Sequence, residues 1–147
     1  MLQRRCEPAG DKERLSVTQD LVDTMHASAG CVGLAAPQIG VPLRVAVVDV
    51  RSHRLTTSSN GLVVLANAEL LEGAGQHVAR EGCLSLPHVT ADIARAEQVR
   101  VLLPGKGEIW SAGFEARAIQ HELDHLDGLL ILDRVTSVHA LHPRKRY

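Results

Sequence analysis

Residues 120–128 read Gln-His-Glu-Leu-Asp-His-Leu-Asp-Gly, and no other stretch limits the possible folds as tightly. The pattern from about Phe114 to Asp127 predicts a helix stopped by Gly128. On such a helix His121 and His125 stand four apart and point the same way, about 6 Å apart along the axis. Burying His121, Glu122, Asp124 and His125 within one turn is costly unless each finds a partner. Either this face lies in water on an ordinary amphipathic helix, or the rest of the chain brings an ion and counter-charges to it. Two imidazoles in register can share one metal ion. Glu122, beside them, can meet a water at that ion without being a ligand, which is the mechanical content of His-Glu-x-x-His.

A hydrolytic metal site of this kind takes three protein ligands and leaves one position for water. The third ligand has to come from elsewhere in the chain. Downstream, the position at which some proteases place a third histidine is Ile131, which cannot coordinate, and no glutamate follows Glu122. Asp133, His139 and His142 remain, on or near a short polar tail of about residues 136–147 that carries Arg144-Lys145-Arg146 and reads as frayed and solvated. Upstream, Cys83 in Glu81-Gly-Cys-Leu-Ser85 is the better candidate. The preceding glycine permits close approach, and thiolate is a strong ligand for zinc or ferrous iron. The other two cysteines, Cys6 and Cys31, read as small buried apolar residues, with pocket lining as the rival for Cys31.

The remaining chain predicts an α+β fold of antiparallel or mixed sheets packed around this late helix, with one helix near the N-terminus. Helical spacing runs from Glu13 to Ala29 through Leu15, Leu21, Val22, Met25 and Ala29, with Gly30 as the stop. The segment from Gly33 to Gly40 carries too much glycine at its ends for a helix. Leu43–Val50 and Leu62–Ala66 read as buried strands joined by the polar loop 51–60. Short extended pieces follow at Gln76–Arg80 and Cys83–Leu86, then strands Gln98–Leu103 and Glu108–Ala112 around a glycine turn.

With 147 residues and no repeat or linker, the chain reads as one catalytic domain, 1–147. It contains one Trp, one Tyr and one Phe, so the core must be aliphatic and base-stacking readout of single-stranded nucleic acid has almost nothing to use. A net charge of −1 argues against general polyanion binding. An odd cysteine count, no signal-peptide pattern after Met-Leu-Gln-Arg-Arg and no apolar run of membrane length predict a soluble protein in a reducing cytoplasm.

Three segments stand in order: Cys31-Val-Gly-Leu-Ala-Ala-Pro-Gln38, Glu81-Gly-Cys-Leu-Ser85 and Gln120-His-Glu-Leu-Asp-His-Leu-Asp-Gly128. Together they resemble the three signature motifs of the peptide deformylases, and the similarity extends from about Leu2 to Val135. The resemblance implies a metal-dependent hydrolase that removes the formyl group from the N-terminal formyl-methionine of nascent polypeptides and releases formate. It implies one divalent ion, ferrous iron in the cell and replaceable by nickel, cobalt or zinc, held by Cys83, His121 and His125. Glu122 carries over as the acid/base, with Gln38 and the Leu84 backbone N–H as oxyanion donors. Val32, Gly33, Cys31 and Ala118 carry over as substrate-binding residues, Gly33 letting the substrate backbone lie close. The partners implied are formyl-methionyl peptides, with the ribosome surface as a further expectation. Glu81 and Asp124 read equally as carboxylates that orient ligands and as structural ion pairs with Arg95. Where the family's first motif begins with glycine this chain has Cys31, which adds a side chain near the pocket.

Two rival readings need an answer from the structure. A zinc endopeptidase could use the same helix, and a metal-binding protein of the same fold could have lost catalysis.

Overall fold

The computed structural model describes residues 2–144, so Lys145 and Arg146 of the basic tail lie outside the described residues. Helix α1 spans Asp11–Ala27 and helix α2 spans Gly113–Leu126. Between them run β1 (Gly33–Ala35), a short 3-10 turn (Ala36–Ile39), β2 (Val45–Val48), β3 (Val63–Ala66), β4 (Glu69–Ala74), β5 (His77–Cys83), β6 (Leu86–Arg95), β7 (Gln98–Leu103) and β8 (Gly107–Ala112). After α2 come 3-10 turns at Ile131–Asp133 and Val138–Ala140 and the strand β9 (Leu141–Pro143). The strands form three sheets, ordered β1-β2-β3, β4-β7-β8 and β5-β6-β9, with every strand pair antiparallel. The expected α+β fold with a late central helix is what the chain adopts; the one parallel pairing is an isolated bridge between Glu7 and Leu43.

Strand β2 shows why an unbroken apolar run was needed. Its side chains alternate between two cores: Ala46 and Val48 pack with Leu65, Ile119 and Leu126 on the α2 side. Val45 and Val47 pack with Leu21 and Met25 of α1 on the other. Neither face meets water, so both have to be aliphatic. Helix α1 lays down a narrow stripe, Val17, Leu21 and Met25, four residues apart. Leu15, expected in that stripe, is 72% exposed. The helix stops at Ala27, earlier than expected, and Gly30 takes a left-handed turn beyond it (φ 73°).

Four local expectations change. The 3-10 turn at Ala36–Ile39 is helical where the glycines suggested none; Gly40 closes it at φ 82°. Strand β4 was not foreseen, and all six of its residues are exposed, so it carries no inward apolar pattern to read. The two short extended pieces near Cys83 belong to one long hairpin, β5 and β6. The tail is not frayed at residues 141–144: β9 pairs with β6 and the Arg144 N–H donates to the His88 carbonyl (3.0 Å).

Gly128 ends α2 for two reasons. Its φ is 77°, and a β-carbon there would lie 2.8 Å from the Arg4 carbonyl carbon and 2.9 Å from Gln3 backbone atoms. The N-terminal segment thus lies across the helix end, where the Cys6 N–H and Arg44 Nη1 both donate to the Leu126 carbonyl (each 2.9 Å). Gly128→Ala should therefore cost about 2 kcal/mol or more, strain and overlap combined. The readout is an earlier urea midpoint at unchanged slope; an unchanged midpoint would show that the N-terminal segment yields freely.

Candidate metal centre

The third sheet places Cys83 and Glu81, both on β5, against α2. Cys83 ends β5, and Leu84-Ser85 turns the chain into β6. Neither turn residue has a positive φ, so the turn lacks the left-handed residues that match strand twist, and the flanking strands splay. The register then slips: Gly82 pairs with Thr90 but Cys83 with Leu86, leaving Pro87, His88 and Val89 as surplus on β6. Pro87, which cannot donate to a ladder, sits in that irregular stretch.

This turn carries the thiol to the histidines. Cys83 Sγ lies 3.3 Å from His125 Nε2, and one ligand atom from each of Cys83, His121 and His125 falls within 4.8 Å of the others. The His121 and His125 rings meet edge to face at 5.0 Å between centroids. Asp133 and His142 are employed elsewhere. Asp133 accepts from the Leu130 N–H (2.8 Å) and His142 pairs with Asp92 (2.8 Å), while His139 does not join the group formed by Cys83, His121 and His125. Ile131 is a buried core residue beside Cys83.

Behind the trio runs a buried ionic network. Glu81 accepts from Arg95 Nε and Nη2 (each 2.9 Å), from Arg117 Nη1 (2.6 Å) and from His121 Nδ1 (2.9 Å). Asp124 accepts from Arg95 Nη1 (2.6 Å) and from Arg134 (2.6 and 3.0 Å). The two carboxylates, equal candidates in sequence, differ here. Glu81 both pairs with Arg95 and orients His121, whereas Asp124 touches no histidine and only ties Arg95 and Arg134 to α2. Arg117 was missed; its signal was a helical arginine four residues before His121, too deep in an amphipathic helix to lack an acid.

Proton positions follow from this surrounding. Burial pushes the Glu81 carboxyl up, but hydrogen bonds from His121 and Arg95 hold it down at about 2. Burial also raises Cys83, and the two imidazoles outweigh it, bringing the thiol to about 5. Burial lowers His121, yet its bonds to Cys83 and Glu81 carry it to about 10. Without an ion, the trio is a thiolate facing an imidazolium. Glu122 is pushed up to about 7, chiefly by burial, with the neighbouring histidines opposing.

The residues fit a metal. Glu122 Oε2 is buried beside the trio with no hydrogen-bond partner among the protein groups, a costly state that a water held at an ion would relieve. Sulfur with two ring nitrogens is a donor set suited to zinc or ferrous iron.

Strand β1 closes the other side. A β-carbon on Gly33 would stand 2.7 Å from Glu122 Oε1, so glycine is required there for space rather than for its φ. Gln38 in the 3-10 turn accepts from the Ala35 N–H (2.9 Å). Its amide donates to Ser85 Oγ (3.1 Å) and approaches Cys83 Sγ (3.7 Å). Ser85, a motif residue given no role from sequence, thus anchors Gln38. Cys31, Val32, Gly33, Gln38, Leu84, Ala118, His121 and Glu122 all line one cleft of about 530 Å³. A second cavity of about 620 Å³ on the Asp124 side holds none of the trio.

Comparison with known proteins identifies a family for the chain as a whole. The polypeptide deformylase family model matches residues 1–140. A peptide deformylase from Halothermothrix orenii is 40% identical over 144 residues, covering 94% of this chain and 89% of that protein. Among solved structures, a Synechococcus elongatus peptide deformylase in complex with actinonin superposes with a TM-score of 0.81 at 32% identity, over 95% of this chain and 75% of that one. A Met-Ala-Ser-bound class I type b peptide deformylase from Acinetobacter baumannii gives 0.76 at 34% identity, over 91% of each chain.

An ion entering this trio must displace the proton that His121 holds up to about pH 10. Uptake is then coupled to proton release, and affinity rises with pH. Between about pH 6 and about pH 8, Zn²⁺ affinity should climb about tenfold per unit for each proton displaced. Competition with a chelator, corrected for its own protonation, measures it; a flat profile would mean that His121 carries no proton to lose.

Proposed function

The chain belongs to the polypeptide deformylase family, and we propose on that footing that Cys83, His121 and His125 hold its metal ion while Glu122 moves the protons. The protein is a metal-dependent hydrolase that removes the formyl group from N-terminal formyl-methionine and releases formate. The observation that carries the residue assignment is Cys83 Sγ at 3.3 Å from His125 Nε2, with a partnerless Glu122 oxygen alongside.

Bound there, the ion supplies Lewis acidity. Glu122 takes a proton from the attacking water and returns it to the departing amine. Its value near 7 suits a group that must accept and then donate at neutral pH. The formyl oxygen gains charge as the carbon becomes tetrahedral, and the Gln38 amide and Leu84 N–H donate to it. Gln38 is held for this by Ala35 and Ser85, and the N–H now aimed at Cys83 Sγ turns to the formyl oxygen. Gly33 gives its side-chain space to Glu122 and offers a bare backbone against which the substrate backbone can lie close. Cys31, Val32 and Ala118 bound the methionine pocket, which the Cys31 side chain narrows. Glu81 fixes the His121 ring so that Nε2 faces the trio.

Ferrous iron is the ion proposed for the cell, with nickel, cobalt or zinc as substitutes, and the cytoplasm the site of action. The chain acts as one catalytic unit on formyl-methionyl peptides of nascent chains, at the ribosome surface. The endopeptidase reading finds no support. Among the described residues no third histidine or glutamate joins His121 and His125, and no helix is long and apolar enough to cross a membrane.

Formate release from formyl-Met-Ala-Ser by metal-replete protein, prepared without oxygen, tests the activity. Cleavage of an internal peptide bond instead would favour the endopeptidase. Glu122→Gln should lose at least about 10³-fold in kcat yet keep one ion per chain, because Glu122 is no ligand. Cys83→Ala should lose the ion, and wild-type ion content in that variant would refute the assigned ligand set. Gln38→Ala should keep the ion and lower kcat by about 10²–10³.

A further inference from the structure

Three guanidinium groups stand around the mouth of the cleft: Arg54 from the loop after β2, Arg80 from β5 and Arg144 just after β9. All three are exposed. Arg80 has one long ion pair, Nε to Asp92 Oδ1 at 3.5 Å, and that carboxylate is shared with His142. Among the described residues, Arg54 and Arg144 meet no carboxylate, a state they share only with Arg4 and Arg5 of the arginines, whereas those elsewhere in the fold, such as Arg44, Arg51 and Arg134, have one within ion-pair distance. The carboxylates of the cleft itself cannot serve the rim. Glu81 is saturated by two arginines and a histidine, and Glu122 is buried at the floor. The mouth is cationic in a chain of net charge −1.

Two of these groups are held in place by the fold. Arg144 follows a paired strand, is pinned through its N–H to His88, and lays its guanidinium over Gly82, where a β-carbon would collide with it. It therefore sits one residue from the proposed ligand Cys83. Arg54 adjoins His53, which stacks on Phe114 at 4.1 Å between centroids. Its loop is tied to α2 by Asn60, whose N–H and side-chain amide both donate to Glu115 (each 2.6 Å). The exposed side chains of Leu55 and Leu84 line the same cleft, and the rings that join them there, His53 and Phe114, spend a face on each other rather than standing open to a base. That combination suits a peptide better than a nucleic acid.

We infer that this rim is a specificity element favouring formylated peptides with Asp or Glu in the residues after formyl-methionine. The inference rests on the deformylase reading of the cleft. Guanidinium–carboxylate pairs at an exposed rim act mainly on encounter and ground-state binding, are modest, and fade with salt.

The test compares kcat/KM of the ion-loaded full chain on formyl-Met-Ala-Ser, formyl-Met-Glu-Glu, formyl-Met-Gln-Gln and formyl-Met-Lys-Lys. At low salt the Glu peptide should exceed the Gln peptide by about fivefold, mostly through KM, with the Lys peptide lowest. The gap should close at about 0.5 M salt, where the Debye length is only a few ångströms. The pair of substitutions Arg54→Gln and Arg144→Gln should bring Glu and Gln peptides within about twofold, and Arg144→Lys should keep most of the gap. Equal rates for Glu, Gln and Lys peptides at low salt, or a gap that survives the double substitution, would overturn the inference alone. Inhibition by a short oligouridylate without any charge discrimination among peptides would likewise overturn it, in favour of RNA. No turnover of formyl-Met-Ala-Ser would overturn the deformylase reading and the rim with it.

Discussion

Glu81 is the carboxylate on which the catalytic half of the molecule is organised. It sits on β5, two residues before Cys83, and takes hydrogen bonds from Arg95 at the end of β6 and from Arg117 and His121 of α2. One buried anion thus ties the hairpin that brings the sulfur to the helix that brings the imidazoles. Burying such a charge is favourable only when its lone pairs are filled, and here they are. Losing one partner of a buried pair typically costs about 3–5 kcal/mol, so the network holds the hairpin on the helix cooperatively. Arg95 extends the network through Asp124 to Arg134, so the segment after α2 is fastened by the same charges.

The opposite wall depends on what is missing rather than on what is charged. Strand β1 can approach α2 because residue 33 has no side chain, and the space goes to the Glu122 carboxyl. Burial there raises its affinity for a proton, which a solvated glutamate in the same motif would not show. The packing of an aliphatic sheet against α2 therefore helps set the acidity at the site. Val48, Leu65, Ile119 and Leu126 keep that interface dry.

Much of this was legible in the sequence, for reasons that differ by residue. His121, Glu122 and His125 were readable because helical periodicity fixes their relative direction before any tertiary contact is known. Strand β2 was readable because both its faces are buried. Cys83 was identifiable only by its motif, since nothing in local spacing says that a hairpin near residue 83 reaches a helix forty residues later. Strand β4 was illegible because its residues are all exposed and its pairing with β7 lies in the backbone. Residues 141–143 were read as a solvated tail, yet they pair as β9, because backbone hydrogen bonds to β6 need no apolar pattern. The division of labour between Glu81 and Asp124 could not be read either: it depends on which carboxylate the Arg95 fork straddles.

The Leu84-Ser85 turn has a consequence for how sequences of this fold can vary. The sulfur and the Ser85 hydroxyl that steadies Gln38 lie at fixed positions on the outgoing strand and its two-residue turn. The register slip, by contrast, falls on the returning strand, at Pro87, His88 and Val89. Insertions or deletions in that returning stretch would be felt by β9, which pairs there, while the sulfur stays where it is. The same change made between Arg80 and Cys83 would turn the thiol to the sheet's other face. The hairpin thus behaves as two arms with unequal tolerance to indels, one locked in phase with the helix and the other answering only to its pairing with β9.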